Sequence, residues 1–213
     1  MDLVKPLAVL GSGGTLATGA YLTKDHWMPS PKEEKVKTIS DALKGKKLIS
    51  SLSTSDLEKQ WEEEFESDQE TLKKLLGDNN LDKSKGGKAL SGWCANQMSL
   101  DVDKNQGTLK HVEKYCLIRS VASQLERKQK TLLKADQEQG WKTTYDKRKS
   151  TTSKREDIGL TGTDWTGDKE SEDLPKVKEW CSTNSFKDFL ASDNGALYTN
   201  VLKWCTTNGA TEN

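Results

Sequence analysis

Leu90-Ser91-Gly92-Trp93-Cys94 is the first of four stretches built to one design. Val112–Cys116 (VEKYC), Val177–Cys181 (VKEWC) and Val201–Cys205 (VLKWC) repeat it: an aliphatic, two spacers, an aromatic and a cysteine. Together they hold all 4 cysteines of the chain. On a helix, residues four apart share a face, so the aliphatic and the cysteine fall on one buried stripe and the aromatic flanks it. The spacing predicts four helices docked into cores. It specifies architecture and names no chemistry.

Outward from these stretches the chain repeats a plan. Trp61 and Phe65 precede the first two motifs, and Trp141 and Tyr145, also four apart, precede the second two. Trp61 to Trp141 is 80 positions, Cys94 to Cys181 is 87 and Cys116 to Cys205 is 89. Aromatics and cysteines recurring in the same order at similar spacing point to a duplicated helical unit. The expectation is an all-α protein of two tandem small units, 55–135 and 136–208, with a polar tail at 209–213. Its core aromatics are Trp61, Phe65, Trp93, Tyr115, Trp141, Tyr145, Trp180 and Trp204. Helices are predicted from Ser55 to Gly77, over Lys88–Leu100, from Thr108 through Leu133, and from Pro175, a residue tolerated at a helix start.

The core is thin. Only 32% of the 213 residues are hydrophobic, although 7 are tryptophan. Small units with so little apolar surface need covalent staples. Residues 1–24 differ in character: Pro6 to Leu22 carries no charge, and Lys5 and Lys24 flank it. This segment is expected to be a signal or a membrane anchor running through residues 3–22, with the body beyond residue 25 outside the cell. Within it, Gly11-Ser12-Gly13-Gly14 imitates a phosphate-cradling turn, but no second strand with a terminal acid follows to complete one. Gly13–Ala17 also looks like the threonine-nucleophile segment of asparaginases, which nothing downstream supports. Residues 25–54, with Pro29, Pro31 and a Ser/Lys-rich run, read as a polar linker.

Several chemistries compete for the cysteines. Zinc needs ligands that converge locally, whereas the gaps here are wide and only His26 and His111 could assist, so no metal site is expected. A thiol nucleophile wants a base at pairing distance, and His111 is five residues from Cys116, off the helical pairing offsets. Structural disulfides remain, most simply Cys94–Cys116 and Cys181–Cys205, although four cysteines allow three connectivities. Four reduced cysteines packed as small hydrophobes are the alternative in a reducing cytosol.

Charge is balanced at 33 basic and 33 acidic residues, so no global field draws nucleic acid or anionic lipid. Locally it is not: Asp56 to Glu70 is acidic, while Arg127 to Arg155 is basic, with Trp141 and Tyr145 interleaved. A basic run with aromatics can bind single strands, but it reads more readily as a solvated face or as a partner for the acidic segment in the other half. Nucleic acid is disfavoured as a partner. No cofactor and no small-molecule substrate are expected.

With the paired aromatics, the Glu-Trp-Cys and Lys-Trp-Cys endings and the Gly-containing N-terminal apolar segment in view, the chain resembles a known group. It looks like the paralogous families of short, uncharacterised proteins of haemotropic mycoplasmas. That resemblance implies an exposed or secreted protein with a part in antigenic diversity, and no active site to carry over. The expected function is therefore a non-enzymatic, surface-displayed or secreted protein facing host or surface molecules. The alternative is an intracellular nucleic-acid or protein-binding module using residues 127–155, with an enzyme third.

Overall fold

Helix formation starts where side chains can cap it. In the computed structural model, which describes residues 36–151, 153–162, 165, 169–193 and 195–212, Thr38, Asp82 and Ser120 each accept a backbone N–H three residues on and open a helix. Nine α-helices and no strand occur among the described residues. They are α1 (Ile39–Ala42), α2 (Thr54–Ser67), α3 (Gln69–Leu76), α4 (Lys83–Gln97), α5 (Gln106–Tyr115), α6 (Val121–Arg127), α7 (Glu138–Lys149), α8 (Glu170–Asn184) and α9 (Ala196–Cys205). The protein is all-α.

Two cores form side by side. The first gathers Ile39, Leu43, Ile49, Trp61, Phe65, Leu72, Leu90 and Val112 around Cys94 and Cys116. The second gathers Val121, Leu125, Leu133, Trp141, Tyr145, Val177, Val201 and Trp204 around Cys181 and Cys205. The halves close themselves with matching backbone bonds. Ile39 N–H donates to Leu100 O at 2.9 Å as Val121 N–H does to Lys187 O at 2.9 Å. Ile49 N–H donates to Cys116 O at 2.9 Å as Leu133 N–H does to Cys205 O at 2.8 Å. Four isolated bridges fall in the same order: Thr38 with Asp101, Leu48 with Leu117, Ser120 with Asp188, and Leu132 with Thr206.

The close approach of α4 to α2 depends on glycine. A Cβ at Gly86 would clash with the Phe65 ring, and one at Gly87 would sit 2.9 Å from the Glu62 backbone nitrogen. At the sequence spacings of the tryptophans and cysteines, the second half has Tyr145 and Asp173 where the first has Phe65 and Gly86. There the Tyr145 hydroxyl donates a hydrogen bond to Asp173 Oδ2 at 2.5 Å.

The structure moves several predicted boundaries. Residues 38–52, expected inside the linker, form α1 and a 3₁₀ turn at Ile49–Ser51, and Ile39, Leu43 and Ile49 are buried. Three apolar residues at the right spacing outweigh a Ser/Lys-rich composition. The long helix expected from Thr108 stops at Tyr115, and the chain crosses between halves at 116–120. Val121, Leu125 and Leu133, expected in the first unit, therefore pack in the second core. Pro175 lies inside α8, whose first turn is the acidic Glu170-Ser171-Glu172-Asp173, a sequence suited to a helix N-terminus. Across the expected start of the tail, Thr207–Ala210 is a 3₁₀ turn packed on α7, with Gly209 buried. The apolar segment 3–22, the Gly11–Gly14 run, His26 and Trp27 lie outside the described residues.

Candidate functional site

All four cysteines are paired, and the pairing is Cys94–Cys116 and Cys181–Cys205. Their Cα atoms lie 5.9 and 5.6 Å apart, within ordinary disulfide reach. Each bond ties the helix carrying one motif to the helix carrying the next, α4 to α5 and α8 to α9. Of the aromatics expected in the cores, Trp61, Phe65, Tyr115, Trp141, Tyr145 and Trp204 are buried. Trp93 and Trp180 are half-buried against the edges of their cores, as flanking positions require. Trp165, which lies outside the repeated motifs, stacks on Trp204 at 6.0 Å and meets Tyr145 edge-on at 5.6 Å. The guanidinium of Arg155 sits 5.1 Å from its ring centroid. Its flanking sequence is polar, so nothing local marks it.

The most unusual chemistry lies where the halves meet. Polar residues of α2 and α6 are buried there: Gln60 is 2% exposed, Glu64 3% and Gln124 3%. Gln60 Nε2 donates to Phe189 O at 3.2 Å, and its Oε1 accepts from Ala191 N–H at 2.8 Å. Glu64 accepts from Arg119, and from Arg127 Nη1 at 2.8 Å. Arg127 continues to Ser67 Oγ at 2.7 Å and to Lys114 O at 2.9 Å, while its guanidinium lies 5.2 Å from the Tyr115 ring centroid. Burial and neighbouring Arg127 pull Arg119 below the usual arginine range. The Glu64 carboxylate in hydrogen-bond contact keeps it charged.

Beside this junction opens a cleft of 440 Å³, floored by Phe189 and Tyr198 and rimmed by Lys59, Glu62, Lys83 and Lys128. Its charges are mixed, and Lys83 is already held by Glu63 and by Glu66 at 2.6 Å. The shifted carboxyls elsewhere serve the scaffold. Burial pushes Asp68 up, but hydrogen bonds from Lys114, Thr71 and Tyr115 outweigh it and hold it at about 2. Burial also pushes Asp173 up, and Arg155 and Tyr145 together hold it below the usual range. In return, burial and that hydrogen bond push Tyr145 up to about 12. Asp173 and Tyr145 are buried against their partners, whereas the Asp68 side chain is 21% exposed beside Lys114.

The basic segment 127–155 is largely spent within the molecule. Arg127 pairs with Glu64, Lys130 with Glu212 at 3.0 Å, Lys142 with Glu170 at 3.3 Å, and Arg155 with Asp173. Arg148 is wholly buried and donates to Gly209 O at 2.9 Å and to Glu212 O. Trp141 and Tyr145, the two rings interleaved with these bases, are 4% and 2% exposed and present no stacking face. Among the described residues no cluster of His, Cys, Asp or Glu could hold a metal ion, and no helix is long and apolar enough to cross a membrane. Comparison with protein-family models, curated proteins and solved structures returned no match.

Proposed function

We propose that the chain is a non-enzymatic scaffold, displayed on a cell surface or secreted, whose solvent faces meet host or surface molecules. The observation that carries this reading is the pairing of every cysteine into two disulfides. Such bonds persist in oxidising surroundings and are removed in a reducing cytosol. A small, charge-rich body with little apolar content gains most from them. The resemblance to the short mycoplasma surface families and the uncharged segment before residue 24 support the same placement.

Descent of the two halves from one ancestral unit fits the paired bridges and hydrogen bonds at matching positions. It also fits a division of labour in which core positions stay alike while solvent faces differ. The second reading, a nucleic-acid module built on residues 127–155, loses its stacking residues to the core and most of its cations to internal partners. Protease treatment of intact cells tests the proposal: the body is cleaved before lysis if it is displayed, and survival of the full chain until lysis contradicts display.

A further inference from the structure

The groove between α2 and α4 in the first half differs from its counterpart between α7 and α8. In the second half it is filled from within. Lys178 crosses it, with Nζ 5.9 Å from the Trp141 ring centroid, 2.6 Å from Glu138 Oε1 and 3.4 Å from Ala135 O. The segment before α7 closes the remaining edge, since Trp141 Nε1–H donates to Lys134 O at 2.9 Å. The matching residues of the first half, at the spacings of the tryptophans and cysteines, are Trp61, Glu58 and Ser91. Serine there is too short to span the groove.

The consequence is a vacant groove of 300 Å³ bordered by Leu57, Glu58, Trp61, Gly87, Lys88 and Ser91. Helix α2 begins at Thr54, seven residues before its tryptophan, whereas α7 begins at Glu138, three before. The extra turn forms one wall of the groove. It also leaves no chain to serve the Trp61 indole, whose Nε1–H is buried without an acceptor. Glu58 keeps one cation, Lys88 at 3.4 Å, but both side chains are more than 60% exposed. An exposed pair of that length is readily exchanged.

We propose that this groove receives a lysine side chain presented by a partner protein, its ammonium bound by Glu58 as Lys178 is bound by Glu138. The second half supplies the template. An indole ring and a carboxylate one turn before it are common to both halves, while the lysine and the carbonyls of Lys134 and Ala135 have no counterpart in the first. A lysine stem packs along apolar surface while its head stays wet, which suits a groove open at one side. An ammonium beside an indole gains further from the ring quadrupole.

The test is a titration of the full-length, isotope-labelled protein with Nα-acetyl-lysine N-methylamide, followed by NMR at the Ser91 amide and the Trp61 indole N–H. The expected result is a saturable shift of both signals. Glu58→Gln should weaken binding by three- to tenfold, and acetylating the probe at Nζ should abolish it. Ser91→Lys should fill the groove from within and remove the response, and that variant should melt no lower than the parent. Absence of a saturable shift overturns the proposal, as does equal binding by the Nζ-acetylated probe. An undiminished response in a folded Ser91→Lys protein overturns it as well.

Discussion

Glu64 holds the two halves together through charge at a place where apolar contact would be expected. It is 3% exposed and answers two guanidiniums, from Arg119 and Arg127. Removing one member of a buried ionic group strands the others. Glu64→Ala is therefore expected to lower stability by about 3–5 kcal/mol in chemical denaturation, well beyond the effect of neutralising an exposed neighbour such as Glu62. At Gly86 the demand is steric: alanine would drive its methyl into the Phe65 ring, at an expected cost of about 1–3 kcal/mol in the same assay. The sequence announced only some of these residues. Trp61 and Phe65 stand out by their spacing. Glu64 is hidden in an acidic run that reads as a solvated face, because its partners lie 55 and 63 residues away.

At the scale of elements, the motif helices were legible because aliphatic, aromatic and cysteine recur at helical offsets. Helix α1 was not, since four residues give no periodicity to detect. Only the Thr38–Asp41 capping box and the Ile39/Leu43 spacing could have marked it. The break between α5 and α6 was missed for a related reason: apolar residues continue at helical spacing through Cys116, and only tertiary packing turns the chain there. Each disulfide joins two such helices across a separation of 22 or 24 residues. Replacing Cys94 and Cys116 together by serine is expected to cost about 3 kcal/mol, read from the shift of the denaturation midpoint. Acid should act on α3, whose N-terminal Asp68 is held at about 2 against an ordinary 3.8. A depressed carboxyl means that the unfolded chain binds the proton first. Its contribution is thus complete above about pH 4 and lost as the pH falls toward 2. Asp68→Asn should flatten that part of the stability–pH curve.

For the whole molecule, the helical class and the pairing of motifs were written in the spacing of aromatics and cysteines. The joint between the halves was not, because a polar interface leaves no apolar pattern along either strip of sequence. What results is a body in which disulfides and buried ion pairs supply the cohesion that a 32% hydrophobic composition does not. The account rests on those disulfides being formed where the protein works. The most direct measurement is thiol trapping in living cells: acid quenching, alkylation with a mass-tagged maleimide under denaturing conditions, and intact-mass analysis with and without prior reduction. We predict no tag before reduction and four after it. Four tags on the unreduced chain would contradict the account.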